Sequence, residues 1–157
     1  AWDIGADEYV YIELYFEYQR IITLNVSQRG SSCTGSLSNF PVLISLSGSW
    51  LKTKANGGAI YSSSGYDIIF RDVNNSQLDH EIEQYDGSAT GGTLIAWVRI
   101  PTLFDNNQDT LIYMYYGNAY IASSTENPTG VWVNNYRAVT HLKESGNGTL
   151  NEYKDSC

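Results

Sequence analysis

The sequence predicts an all-β fold, specifically a jelly-roll-like antiparallel β-sandwich with an extended N-terminal strand. Between residues 66 and 118, apolar and polar residues alternate along several short runs, and no run has the period of an amphipathic helix. The composition agrees, because 13 Tyr, 4 Trp and 14 Gly among 157 residues is typical of strands and turns.

Each strand is predicted from its own alternation. The predicted strands cover residues 10–17, 18–27 and 40–47, four runs within 66–118, and a final pair over 131–143. No Gly, Pro, Asn or Asp separates the first two strands, so they are also compatible with one long strand. Polar and irregular segments over 29–39 and 50–65 are predicted to be loops.

The run over 93–100 predicts which residues form the core. Its alternate residues share one face of a strand, and one of the two rows is entirely apolar. That row, predicted to be buried, consists of Leu94, Ala96, Val98 and Ile100.

The chain divides into three predicted parts. Residues 1–17 are an N-terminal extension and candidate donor strand, and residues 18–132 are the β-sandwich domain. Residues 133–157 are a C-terminal strand and tail, and a candidate start of a lectin-like module.

Charge and hydropathy exclude two classes of partner. The net charge of −8 and the pI near 4.5 argue against nucleic acid, which needs a basic surface. No run of 18 apolar residues is present, so no membrane span is predicted.

Cysteines and glycosylation sequons favour an extracellular or cell-surface location. Cys33 and Cys157 lack the spacing of a metal site, and three readings stay open: a disulfide between them, pairing beyond this segment, or free thiols. The acceptor pattern Asn-x-Ser/Thr predicts glycosylation at Asn25, Asn74 and Asn147.

No catalytic residue, metal or other cofactor is predicted. His80 and His141 have no recognisable nucleophile motif beside them. Glu81 and Glu83 share one strand face, which keeps a glycan-cleaving enzyme as a third hypothesis, although a solvated strand face has the same pattern.

One loop offers oxygen ligands for calcium. Asp72, Asn74 and Asp79 lie within eight residues of one another, but the segment lacks a complete calcium-loop pattern. A plain hairpin turn explains the same residues.

Aromatic residues raise a carbohydrate-binding alternative. Tyr and Trp rings stack on sugars, although most aromatic rows in a sandwich belong to the core or to the sheet surface. The candidate sugar-stacking residues are Trp97, Tyr113, Tyr115, Tyr116 and Trp132.

The amphipathic strand at 10–17 suggests self-assembly. Four apolar side chains on one face, Val10, Ile12, Leu14 and Phe16, are the candidate strand-donor contacts. Burying them in a neighbouring copy would contribute about 6–12 kcal/mol before entropic costs. The alternative, that this strand completes its own sheet, stays open.

An ordered series of motifs carries a family resemblance. The series is FPVLISL (40–46), YDIIF (66–70), LDHEIE (78–83), AWV (96–98), YMYYGN (113–118) and NPTGVW (127–132). It resembles an exported bacterial and archaeal domain of unknown function that is often found beside concanavalin-A-like (laminin-G-like) lectin domains. Residues 136–157 resemble the first strand of such a lectin domain, and residues 1–9 resemble a closing rung of a parallel β-helix protein.

The resemblance implies a surface-exposed sandwich in adhesive or fibrous proteins, and it transfers no catalytic residue. Together with the donor strand, it predicts a non-enzymatic, glycosylated extracellular subunit that self-assembles head to tail into a surface fibril. The alternative is a carbohydrate-binding or adhesive module of a larger cell-surface protein.

Overall fold

The structure, a computed structural model, describes residues 15–28, 34–105, 107–141 and 155–156. Their regular elements are β1 (Tyr18–Leu24), β2 (Leu37–Ser47), β3 (Ile68–Arg71), β4 (Gln77–Leu78), β5 (His80–Asp86), β6 (Thr93–Leu103), β7 (Thr110–Tyr116) and the short helix α1 (Pro128–Val131). Single 3₁₀ turns occur at Val26–Gln28, Ser49–Leu51 and Lys54–Asn56. The all-β prediction is confirmed.

The strands form two antiparallel sheets. Sheet A has the order β1-β7-β3-β4 and sheet B has the order β2-β6-β5. The inner faces of both sheets contribute to one apolar core, as in a β-sandwich.

The alternation in β6 positions the core as predicted. Leu94, Ala96, Val98 and Ile100 are at most 1 % exposed, whereas the intervening side chains lie on the outer face of sheet B. On β7 the buried partners are Ile112, Met114 and Tyr116. Because successive strand side chains point to opposite faces, this register also decides which residues reach the surface.

One side of the sandwich is closed by the chain itself. β4 pairs with β3 in sheet A and β5 pairs with β6 in sheet B, yet a single residue, Asp79, separates β4 from β5. The chain therefore crosses between the sheets at this corner. The Arg99 backbone N–H donates to the Asp79 carbonyl at 3.0 Å and helps to hold the corner.

The opposite side has no such corner. β1 is the edge of sheet A and β2 is the edge of sheet B, and the segment that links them (residues 25–36) lies partly outside the described residues. The sandwich is therefore open between β1 and β2 within the described part of the chain.

Both chain ends differ from the expected strands where they are described. Residues 15–17 precede β1 without strand pairing, and Glu17 is held by Lys54 (2.7 Å) and by Tyr61. In place of the expected strand pair over 131–143, α1 ends at Val131 and residues 132–141 are irregular. This segment is held by side-chain contacts with sheet B and by a backbone hydrogen bond from the Ser156 N–H to the Val139 carbonyl (2.9 Å), and not by a strand ladder with the sheet.

No helix in the described part of the chain has the length and apolar character needed to cross a membrane.

Candidate functional site

The open side of the sandwich contains an apolar groove of about 750 Å³. Its walls come from the end of β1, the first half of β2, the end of β6 and the segment after α1. The lining residues are Thr23, Leu24, Asn25, Val26, Gln28, Phe40, Pro41, Val42, Leu43, Trp97, Leu103, Phe104, Trp132 and Tyr136. This set is mainly apolar, so water in the groove is easily displaced by an apolar occupant.

β2 borders the groove with an unpaired edge. Its ladder partner is β6, and no strand in the described ranges pairs with its other edge. Asn134 covers the first part of that edge by donating from Nδ2 to the carbonyls of Ser38 (2.9 Å) and Asn39 (2.8 Å). Beyond it, Phe40 is 39 % exposed and Leu43 is 47 % exposed. An unpaired strand edge with exposed apolar side chains is a template for pairing with another chain.

The outer wall of the groove is aromatic. Leu43 lies directly opposite Trp97 in the β2–β6 register, on the outer face of sheet B. The Trp97 and Trp132 ring centroids are 5.1 Å apart, and Tyr136 meets Trp132 edge-on at 5.2 Å.

Beside this wall lies an acid–aromatic cluster, formed by Glu81, Glu83, Trp97, Trp132 and His141. Glu81 is 7 % exposed and accepts hydrogen bonds from Trp132 Nε1 (2.8 Å) and His141 Nε2 (3.2 Å). Ser156 Oγ also donates to Glu81, at 2.6 Å. Glu83 accepts a hydrogen bond from Trp97 Nε1 at 2.8 Å and lies 3.6 Å from His141 Nδ1.

This cluster contains both acids of the glycan-cleaving hypothesis. Glu81 and Glu83 share the outer face of β5, as the alternation predicts, and each carboxylate is engaged by an indole N–H. His80 points the other way, into the core, where its ring meets Phe70 at 5.4 Å. The two histidines therefore lie on opposite faces of sheet B.

The sugar-stacking candidates separate into three places. Trp97 and Trp132 pack against each other in the acid–aromatic cluster, and Trp132 is only 7 % exposed. Tyr116 is 5 % exposed and packs on Trp50 at 5.1 Å, so it is a core residue and not an open platform.

The last two candidates, Tyr113 and Tyr115, lie on the outer face of sheet A. Phe16 meets Tyr115 edge-on at 5.9 Å, and the Arg71 guanidinium lies 5.5 Å from the Tyr115 centroid. The five rings therefore do not form one platform.

Of the candidate strand-donor contacts, only Phe16 lies within the described residues. It packs against Tyr115 of its own chain, and the preceding Tyr15 meets Tyr120 at 5.5 Å. Val10, Ile12 and Leu14 lie outside the described residues.

Next to Phe16, Glu17 is held against the domain by hydrogen bonds and an ion pair. Its backbone N–H donates to the Gly117 carbonyl at 3.0 Å, and its carboxylate pairs with Lys54 and with the Tyr61 hydroxyl. These hydrogen bonds lower the pKa of Glu17 and raise the pKa of Lys54. Residues 15–17 are therefore held against the domain at the Tyr18 end of β1.

Two of the three predicted glycosylation sites are described. Asn25 is exposed on the rim of the groove, and its Oδ1 accepts the Ser27 N–H at 2.8 Å. Asn74 is exposed in the β3–β4 turn and does not line the groove. Asn147, Cys33 and Cys157 lie outside the described residues.

The calcium candidates are engaged in other contacts. Asp72 Oδ1 accepts the N–H groups of Asn74 (2.9 Å) and Ser76 (2.8 Å), as in a capped turn. The Asp79 carboxylate accepts hydrogen bonds from Arg99 and Asn127. Burial raises the pKa of Asp79, but these hydrogen bonds have the larger combined effect, so the pKa lies below its usual value. The described residues contain no group of His, Cys, Asp or Glu side chains arranged to hold a metal ion.

Comparison with known proteins gives one match. A family model, described as a domain of unknown function (DUF2341), matches residues 64–150, which is more than half of the chain. The match includes β3 to β7 and α1. No curated protein and no solved structure matches the chain.

Proposed function

We propose, from the premise that the chain belongs to the DUF2341 family, that it is a non-enzymatic structural subunit that assembles head to tail. In this proposal each copy accepts residues 10–14 of a neighbouring copy in the groove between β1 and β2. The observation that carries it is the open side of the sandwich, where two edge strands border an apolar groove. The fibril would form outside the cell or at its surface.

The chemistry of the groove suits an extended peptide. A peptide that joins a sheet edge forms main-chain hydrogen bonds and inserts alternate side chains into pockets. The segment 10–14 has Val10, Ile12 and Leu14 as its alternate side chains. Burying these three would contribute about 5–9 kcal/mol before entropic costs, at roughly 1.5–3 kcal/mol for each.

The positions of the groove and of the donor favour assembly between copies. The groove residues of β1 begin at Thr23, and Glu17 lies about 20 Å away from it along the strand, at roughly 3.3 Å per residue. Tyr15 and Phe16 pack near Glu17, and five extended residues such as 10–14 span at most about 17 Å, which is less than this distance. The difference favours the groove of a neighbouring copy as the acceptor of residues 10–14.

The different positions of the donor segment and the groove on one subunit determine the form of the assembly. A donor at one end of a subunit and an acceptor at the other make a heterologous contact, which propagates into an open filament unless a ring closes. Phe16 packs against Tyr115 of its own chain and anchors the donor segment there. Of the four candidate donor contacts, the neighbouring copy therefore receives Val10, Ile12 and Leu14.

Glycosylation fits the proposal at Asn74 and conflicts with it at Asn25. Asn25 lines the groove, so a glycan there would obstruct an incoming strand. Asn74 lies in the β3–β4 turn and does not line the groove, so it could carry a glycan in the assembled state.

The carbohydrate-binding alternative has less support. Its candidate rings are divided among the core, sheet A and the acid–aromatic cluster, and two of them, Tyr116 and Trp132, are buried. A sugar platform needs adjacent exposed ring faces.

Two complementary variants of the full chain test the proposal. Leu43→Glu places a charge in the groove, and Leu14→Glu places one on the donor segment. We expect the unmodified chain to form concentration-dependent oligomers, and each variant alone to be monomeric, by sedimentation velocity and negative-stain imaging. A mixture of the two variants should give a 1:1 dimer and nothing longer, because only one intact donor and one intact groove can meet.

Val73→Glu is the matched control, since Val73 is 63 % exposed and lies in the β3–β4 turn. It should assemble like the unmodified chain. The proposal is wrong if the unmodified chain is monomeric at every concentration, or if either groove or donor variant assembles normally by itself.

A further inference from the structure

We propose that the acid–aromatic cluster is a cation-binding cage, and that its resident ligand in this chain is the imidazolium ring of His141. The cage is formed by the carboxylates of Glu81 and Glu83 and by the indole rings of Trp97 and Trp132. Its occupancy holds the segment after α1 on the outer face of sheet B.

Both nitrogens of the His141 ring face carboxylate oxygens. Nε2 lies 3.2 Å from Glu81 Oε2, and Nδ1 lies 3.6 Å from Glu83 Oε2. A neutral imidazole has one N–H and one acceptor nitrogen, so one of its nitrogens would direct a lone pair at a carboxylate. The imidazolium has an N–H on each side, so both edges of the ring attract a carboxylate, and this geometry favours a cation.

The aromatic walls also suit a flat cation. The His141 ring is stacked on Trp97 with centroids 6.3 Å apart, and its centroid lies 5.9 Å from that of Trp132. Trp presents a negative ring face to a nearby cation, and desolvation strengthens this attraction. Each indole N–H donates to one of the two carboxylates, and these hydrogen bonds fix the positions of the rings relative to the acids.

Burial of Glu81 also favours a positive charge in the cage. Glu81 is 7 % exposed, and a buried carboxylate is costly unless it is paired. Its donors among the described residues are the Trp132 indole, the Ser156 hydroxyl and the His141 ring, and of these three only the His141 ring can be positively charged.

The cage also connects two parts of the C-terminal region. His141 ends the described segment after α1, and Ser156 reaches Glu81 from a separate described stretch of two residues. The same segment includes Trp132 and Tyr136, which form a wall of the groove. Filling the cage therefore holds that wall in position.

Chemical rescue of an emptied cage is the test. In the full-length chain, His141→Gly removes the ring, and free imidazole, which is largely protonated at pH 6, is added as the probe. We expect imidazole to raise the Tm of this variant by about 2–4 °C once its concentration is about five-fold above its Kd. The neutral ring pyrazole has the same size and should have no such effect. The unmodified chain and Thr140→Gly, an exposed neighbouring position, should not respond to imidazole.

The carboxylates provide the second arm. Glu83→Gln added to His141→Gly should abolish the response to imidazole. Equal rescue by pyrazole would overturn the proposal, since the cage would then be only an apolar cavity, and so would an equal response of the unmodified chain or no response at all.

A third measurement applies if His141→Gly does not fold. His141→Phe keeps an aromatic ring without a charge, and it should increase amide hydrogen exchange over residues 133–141. If residues 133–141 exchange their amide hydrogens equally fast in His141→Phe and in the unmodified chain, the proposal is also contradicted.

Discussion

The imidazole of His80 lies edge-on against the ring of Phe70 in the core, with centroids 5.4 Å apart. Its Nδ1 is 3.5 Å from the Leu78 carbonyl, and its Nε2 has no hydrogen-bond partner among the described residues. Burial lowers the pKa of His80 below its usual value of 6.5, against weaker opposing effects of Leu78, Glu126 and Asp79. The ring is therefore neutral in the folded protein at pH 7.

This burial predicts acid-sensitive stability. Because the folded pKa is lower than the unfolded one, the unfolded chain binds more protons, and stability is fully present above pH 6.5 and is lost as the pH falls towards the folded pKa. Urea denaturation between pH 8 and pH 4.5 should show this loss, and His80→Leu should show a shallower one. Identical pH dependence in both proteins would mean that His80 does not contribute to it.

Phe70 should be among the largest contributors to the core. It is fully buried at the centre of β3. We expect Phe70→Ala to lower the free energy of unfolding by about 3–5 kcal/mol, because it removes buried apolar area and leaves a cavity. Val73→Ala, at a position 63 % exposed, should change it by less than about 0.5 kcal/mol in the same denaturation experiment. A loss below about 1 kcal/mol for Phe70→Ala would contradict this view of the core.

Asp67 should be a structural carboxylate. It is fully buried and accepts backbone N–H groups of Tyr61 (2.8 Å), Ser62 (2.9 Å) and Asn118 (3.3 Å). Asp67→Ala leaves these donors without their acceptor, and we expect it to cost about 2–4 kcal/mol by chemical denaturation.

The matched control for Asp67 is Asp72→Ala, at a half-buried position beside the exposed β3–β4 turn. Asp72 also accepts two backbone N–H groups, from Asn74 and Ser76, but water can replace it there. We expect a cost of about 1 kcal/mol or less. Equal losses of unfolding free energy in Asp67→Ala and Asp72→Ala would show that burial does not determine the contribution of Asp67.

Arg99 should hold three parts of the molecule together. Its guanidinium donates to the Gly130 carbonyl (2.7 Å), to Asn39 Oδ1 (2.7 Å) and to Asp79 at the closed corner. Lys cannot reproduce this planar set of donors, so Arg99→Lys should cost about 1.5–3 kcal/mol of unfolding free energy.

Arg20→Lys is the corresponding control. Arg20 is exposed and stacks over Trp50 at 4.2 Å, a contact that a Lys side chain can keep. Its effect should stay within about 0.5 kcal/mol. Indistinguishable stabilities of the two variants would rule out the specific role of Arg99.

The candidate site could be predicted only in part. The outward position of Glu81, Glu83 and Trp97 follows from strand alternation alone. Leu43 is the signal that sequence analysis missed, because it interrupts the outer row of β2 with a large apolar side chain opposite Trp97. The contribution of Trp132 and His141 could not be predicted, since residues 132–141 do not continue the sheet and no periodicity describes their path.

The amino-acid sequence by itself determined the β architecture, the buried row of β6 and the acidic character of the chain, since each depends on local composition or on a two-residue period. Tertiary structure alone decided that Asp79 closes one side of the sandwich, that β1 and β2 leave the other side open within the described residues, and that two indoles and two carboxylates surround His141. The physical reason is that these features depend on which strands become edges and on contacts between residues far apart in the sequence, such as Glu81 and Ser156, which are 75 positions apart. No local pattern encodes such pairings.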